Sequence, residues 1–167
     1  MVHATQSPIP PYAAKHDGTM RGLSILLVDD DDLEVKATRR AFAKAQVDAP
    51  LFVARDGLEA LALLRDQYAP PSTPSPRRQK DQPPPSLVLL DLNMPRMNGI
   101  AFLSALRKDP QLHSLPVVVM TTSSEEQGRK EAYRLGVAGY IIKPIEFPTF
   151  VDICKVVHAY WSFCCLP

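Results

Sequence analysis

Four places in the chain carry side chains able to handle a hard cation or a phosphoryl group. Asp29, Asp30, Asp31 and Asp32 follow one apolar run, and Asp91 closes a second, Leu87 to Leu90. Thr121 and Thr122 follow a third, Val117 to Met120, and Lys143 follows a fourth, Gly139 to Ile142, directly before Pro144. Carboxylates gathered together repel one another and rise in pKa unless a cation sits among them. A hard divalent ion with oxygen ligands relieves that repulsion, and Mg²⁺ suits a small, partly hydrated site beside phosphate. Mn²⁺ or Ca²⁺ are expected substitutes in vitro. Asp30 and Asp91 are the expected direct ligands, with Asp29 acting through water. A carboxylate fixed at the end of a buried strand can also attack phosphorus to give an acyl phosphate, provided the transferred oxygens are neutralised. The Lys143 ammonium, the Thr121 hydroxyl and the Thr122 backbone N–H could serve those oxygens. Plainer roles compete: an aspartate after a strand can cap a helix or a turn. Asp32 is assigned that part, as cap of a helix starting near Leu33.

The chemical reading depends on elements that bring these segments together. Leu23 to Val28, Leu51 to Ala54, Leu87 to Leu90, Val117 to Met120 and Gly139 to Ile142 read as short strands. Between them the spacing predicts helices over Leu33 to Ala45, Leu58 to Tyr68, Gly99 to Lys108, Glu125 to Leu135 and Phe147 to about Trp161. The apolar faces are assigned to Leu33, Val35, Ala37, Ala41, Phe42 and Ala45 in the first helix. In the second they are Leu58, Leu61, Ala62 and Leu64. Ser123 or Ser124 is the expected cap of the fourth helix and Gly136 its stop. Five strands alternating with five helices imply an α/β fold with a parallel sheet covered on both faces. In such sheets ligands gather beyond the carboxyl ends of the strands. Acids, hydroxyls and one lysine all land on that edge.

Composition bounds the alternatives. A chain of 167 residues with 46% hydrophobic content can build one ordinary domain. Nineteen Lys and Arg against eighteen Asp and Glu leave a formal charge of +1, which offers no electrostatic case for nucleic acid. No apolar run approaches the ~20 residues needed to span a bilayer, and residues 1–20 lack a secretory apolar core. Cys154, Cys164 and Cys165 are odd in number and lack metal-ligand spacing, which points to a reducing cytoplasm. Seventeen prolines fall partly in a polar arm, 1–21, and partly in an exposed, proline-rich insertion, 69–86. The folded domain is thus expected at 22–163, with 164–167 as a tail. Phe147, Phe150, Tyr160, Trp161 and Phe163 exceed what one helix buries against a sheet. Phe147 and Phe150 can be ordinary core; Tyr160, Trp161 and Phe163 are expected to be covered by a second copy of the chain or by a kinase.

VDDD at 28–31, LLDLNMPRMNG at 89–99, VVMTTS at 118–123 and GYIIKP at 139–144 resemble the signature blocks of bacterial response-regulator receiver domains. The resemblance covers Leu23 to about Trp161. It implies a flavodoxin-like (βα)5 fold with strand order 2-1-3-4-5. It makes Asp91 the phospho-acceptor, Asp29 and Asp30 the acidic pair, and Lys143 the phosphate-sensing lysine. It also makes the Asn93 backbone carbonyl a metal ligand and Thr121 and Tyr140 a coupled switch that reshapes the surface of the fourth helix, fifth strand and fifth helix. The ending FPTFVDICKVVHAYWSFCCLP, the insertion and the TTS together resemble the single-domain regulators paired with bacterial and cyanobacterial phytochrome kinases. That implies a cytoplasmic phospho-acceptor, not an enzyme. Its partners would be a phytochrome-type histidine kinase, a second copy and a downstream phosphotransfer protein. The long insertion and Thr122, where many receivers carry a smaller residue, depart from the pattern. Three other readings compete. A haloacid-dehalogenase-like phosphatase wants an acid two residues after its nucleophile, where this chain has Asn93. A pseudo-receiver would bind partners without phosphorylation, and the complete set of acids, hydroxyl and lysine argues against it. A DNA-binding regulator needs an output domain, for which SFCCLP after Trp161 leaves no length.

Overall fold

The computed structural model describes residues 22–70, 72 and 82–164. The arm 1–21, the centre of the insertion and Cys165 with the last tail residues lie outside the described residues. Ten elements alternate: β1 (Ile25–Val28), α1 (Asp32–Ala45), β2 (Leu51–Ala54), α2 (Gly57–Tyr68), β3 (Leu87–Leu90), α3 (Gly99–Lys108), β4 (Val117–Thr121), α4 (Glu126–Arg134), β5 (Gly139–Ile142) and α5 (Phe147–Ser162). The strands form one parallel sheet in the order β2-β1-β3-β4-β5, the flavodoxin-like order. Chain order reverses at β1, which pairs with both β2 and β3.

The sheet forms because its inner strands are runs of branched and aliphatic residues that only a two-sided core can bury. Strand alternation then divides the core. Leu26, Val28, Val88, Leu90, Val117 and Val119 pack with Leu61 and Leu64 of α2 and with Phe102, Leu103 and Leu106 of α3. Ile25, Leu27, Leu87, Leu89, Val118 and Met120 pack with Ala41 and Phe42 of α1 and with Phe150, Val151 and Cys154 of α5. Side-chain caps start the first three helices on the site edge. Asp31, Asp56 and Asn98 accept hydrogen bonds from the N–H groups of Leu33, Glu59 and Ala101.

Several local expectations are corrected. Asp31, not Asp32, caps α1; Asp32 lies inside the helix and pairs with Arg55. Leu33 and Leu58 are exposed, because they lie off the buried faces of α1 and α2. Ala62 is also exposed; the buried face of α2 runs through Gly57, Ala60, Leu61, Leu64 and Gln67. Neither Ser123 nor Ser124 caps α4. Its cap position is Glu125, whose N–H reaches Ser123 Oγ at 3.3 Å in a local turn. Gly136 does stop α4, in left-handed backbone at φ 71°. The second leg of the insertion is held against the domain: Pro85 is buried, Tyr68 Oη donates to its carbonyl at 2.7 Å, and Ser24 Oγ donates to the Pro83 carbonyl at 3.1 Å. Those anchors lie at the start of β1, on the sheet edge opposite the acidic residues.

Candidate functional site

Asp29 and Asp91 become neighbours because β1 and β3 run side by side in register, Val28 opposite Leu90. The Asp91 N–H donates to the Val28 carbonyl at 2.9 Å. One carboxylate oxygen from each of Asp29, Asp30 and Asp91 lies within 4.8 Å of the other two. Asp29 is buried and the other two are half-buried, so the group opens outward. An all-oxygen set of this kind fits a hard divalent cation and has no soft ligand to favour zinc or copper. Asn93 N–H donates to Asp91 Oδ2 at 3.2 Å, which fixes the backbone just beyond Asp91. Burial is the largest influence on Asp91 and pushes its carboxyl above its ordinary pKa, with the Asp29 charge adding to it. The Thr121 hydrogen bond, Lys143 and the Leu92 N–H oppose this without cancelling it.

Lys143 leaves β5 with its N–H on the Thr121 carbonyl, 2.8 Å away. Its ammonium is buried and donates to Asp29 Oδ2 at 2.7 Å, with Glu34 Oε2 at 3.1 Å. Among the described residues, Asp29 and Glu34 are its ion-pair partners. Burial is the largest influence and pulls the lysine pKa down. The hydrogen bond and charge of Asp29, helped by Glu34, outweigh it and hold the pKa above its ordinary value. Thr121 is fully buried, and its Oγ1 accepts from Ser123 N–H at 3.2 Å. Thr122 stands beside it with an exposed side chain. Tyr140 is half-buried, donates its hydroxyl to the Ser123 carbonyl at 3.3 Å and lies 6.5 Å, centroid to centroid, from Tyr133. Asp29, Asp30, Asp91, Thr121 and Lys143 therefore share one place, with Asn93, Thr122 and Tyr140 on its rim.

Two supporting groups were not singled out from sequence. Glu34, beside Lys143, carries a spacing signal in Asp31-x-x-Glu34, which has the form of a helix capping box. Arg96 sits in left-handed backbone, φ 62°, in the β3–α3 turn and pairs with the buried Asp56 carboxylate. That turn is crowded: a Cβ on Gly99 would meet the Asp91 carbonyl at 2.6 Å, and one on Gly57 would meet Met97 at 2.6 Å. No single-residue signal marks Arg96, since the pair depends on β2 and β3 flanking β1.

Of the aromatics expected to be exposed, Tyr160 and Phe163 are 63% and 85% exposed. Trp161 departs from expectation: it is half-buried against the α1–α5 core, and Tyr160 meets it edge-on at 5.2 Å. Helical geometry explains the split, because Trp161 continues the face of Cys154 and Val157 while Tyr160 turns outward.

Residues 25–155 match the family described as the response regulator receiver domain. The chain is 31% identical over 137 residues to response regulator Rcp1 of Synechocystis sp., covering 82% of this chain and 87% of Rcp1. It is similar to the crystal structure of the phosphorylated cyanobacterial phytochrome response regulator RcpA, with a TM-score of 0.73 and 32% identity over 87% of this chain and 99% of that one. It is also similar to the Mn²⁺-bound form of Rcp1, with a TM-score of 0.70 and 29% identity over 87% of this chain and 99% of that one. No described helix is long and apolar enough to cross a membrane.

Proposed function

The chain belongs to the response-regulator receiver family, and on that premise we propose that it accepts a phosphoryl group on Asp91 from a phytochrome-type histidine kinase. Receiver domains are signalling domains and bind a divalent metal. Asp30 and Asp91 would hold the ion directly, Asp29 through water and Asn93 through its backbone carbonyl. When bound, Mg²⁺ supplies positive charge against the carboxylates and the incoming phosphoryl oxygens. An Asp91 oxygen attacks phosphorus in line with the leaving imidazole nitrogen; a P–O bond forms as the P–N bond breaks. Lys143 and the Thr121 hydroxyl take up phosphoryl oxygens, and Thr122 offers its N–H. What carries this reading is the joint placement of three carboxylates, a buried threonine and a buried lysine at the carboxyl ends of β1, β3, β4 and β5.

The output follows from Thr121. Its buried hydroxyl lies close enough to Asp91 to favour the charged carboxylate, so a phosphoryl group there draws it to a new acceptor. Tyr140 is tied to the Ser123 carbonyl, two residues beyond Thr121, and moves with that segment. The surface of α4, β5 and α5 then changes for a second copy of the chain or a phosphotransfer protein, a two-state equilibrium biased by phosphate. The protein acts in the cytoplasm as a phospho-acceptor; its domain runs 22–163 between the arm and the tail. Phosphotransfer from an autophosphorylated phytochrome-type kinase, timed against an unrelated histidine kinase, tests the partner. Faster Mg²⁺-dependent transfer from the phytochrome-type kinase is expected, and equal rates from both would contradict it.

A further inference from the structure

Glu34 is the third residue of α1 after its cap, Asp31, where an acid normally folds back onto the N–H of the cap residue. Here that N–H is already taken: Asp31 N–H donates to Asp29 Oδ1 at 3.0 Å. Glu34 is therefore free to reach across the edge of the sheet, and its Oε2 lies 3.1 Å from Lys143 Nζ. Lys143 has three N–H donors. One goes to Asp29 Oδ2 at 2.7 Å and one faces Glu34, so both bonds point it toward β1 and α1. The Glu34 side chain is 37% exposed, whereas Lys143 and Asp29 are buried, so Glu34 can leave at lower cost than Asp29.

We propose that Glu34 is a positioning residue that competes with the Asp91 phosphoryl group for the Lys143 ammonium and so sets how readily the activated state forms. This rests on the reading of Asp91 as acceptor. In the free protein Glu34 and Asp29 hold Lys143; a phosphoryl group must draw the ammonium away from at least one of them. Glu34 is the releasable partner. A neutral side chain there leaves Lys143 nearer to its active position and removes a negative charge facing the incoming phosphate.

The test is titration calorimetry of beryllofluoride, a phosphoryl mimic, onto the full chain in Mg²⁺. Glu34→Gln is expected to bind it about three- to fivefold more tightly than wild type, the upper part of the range for a partly exposed ion pair. Asp152→Asn, which makes the same charge change on α5, should bind as wild type does. The same Glu34→Gln change is then made in a Lys143→Ala background, where its effect should shrink to less than twofold. An effect of undiminished size without the lysine would overturn the proposal, because it would show simple repulsion. Unchanged or weaker binding by Glu34→Gln, with wild type still binding, would also overturn it while leaving the acceptor reading intact. Failure of wild type to bind beryllofluoride at all would instead count against Asp91 as the acceptor.

Discussion

Asp91 is a carboxylate under strain of environment: burial and Asp29 favour its neutral form, and Thr121 and Lys143 only partly offset them. A carboxyl whose pKa is raised on folding contributes most stability below its unfolded pKa and loses it as pH rises through the folded value. Without Mg²⁺ at neutral pH, Asp91→Asn should therefore raise the unfolding temperature. The gain should fade as pH drops toward the ordinary aspartate range near ~4. Added Mg²⁺ should stabilise wild type more than the variant, so the difference narrows or reverses. Thermal unfolding with and without Mg²⁺ across that pH range measures both trends. At this scale the acids, Thr121 and Lys143 were legible because each closes a strand. Asp31 against Asp32 as cap was not, since one residue along a polar run changes no pattern. Nor was the partner of Glu34, because a capping-box spacing does not reveal that Asp29 already satisfies the cap residue's N–H.

Among the helices, α4 has a single buried side chain, Ala132. Its far end is held from outside by Arg107 of α3. That guanidinium donates to the carbonyls of Leu135 at 2.8 Å and of Gly136, His113 and Leu115 at 2.9 Å each. It satisfies helix-terminal carbonyls and places positive charge at the negative end of the helix dipole. Arg107→Ala should cost about 2 kcal/mol, given the usual worth of charged hydrogen bonds with partial solvent compensation. The unfolding temperature should fall by roughly 4–8 °C. Amide exchange should speed up in residues 126–137 more than in the strands. Uniform exchange across the domain would contradict a local clamp. The order of elements was legible because apolar runs and helical spacing alternate without ambiguity. β2, β3, α3 and β5 took the bounds expected from sequence. What pattern overestimated was burial at Leu33 and Leu58, which are apolar but lie off the buried faces of α1 and α2.

Taken as one body, the described chain keeps its chemistry on one sheet edge and its insertion anchors on the other. A third region, the outer side of β5 and α5, exposes Ile142, Ile145, Val156, Tyr160 and Phe163. Exposed apolar groups concentrated on one side mark an association surface, and the proposed second copy would cover them. Light scattering should find a dimer, and Tyr160→Asp with Phe163→Asp should give a monomer that still folds, because neither side chain supports the core. A wild-type monomer with and without beryllofluoride would rule the dimer out. Trp161 is the wrong residue for this test. Its half-buried ring packs against the α1–α5 core, so its removal confuses stability with association.

The acceptor role of Asp91 is tested most directly by where phosphate goes. Wild type and Asp91→Asn are each incubated with Mg²⁺ and acetyl phosphate, and intact mass is read before and after hydroxylamine. Wild type should gain one phosphoryl group, lose it to hydroxylamine as an acyl phosphate does, and fail to gain it when Mg²⁺ is chelated; Asp91→Asn should gain none. A hydroxylamine-labile phosphoryl group persisting on Asp91→Asn would contradict the assignment of the acceptor.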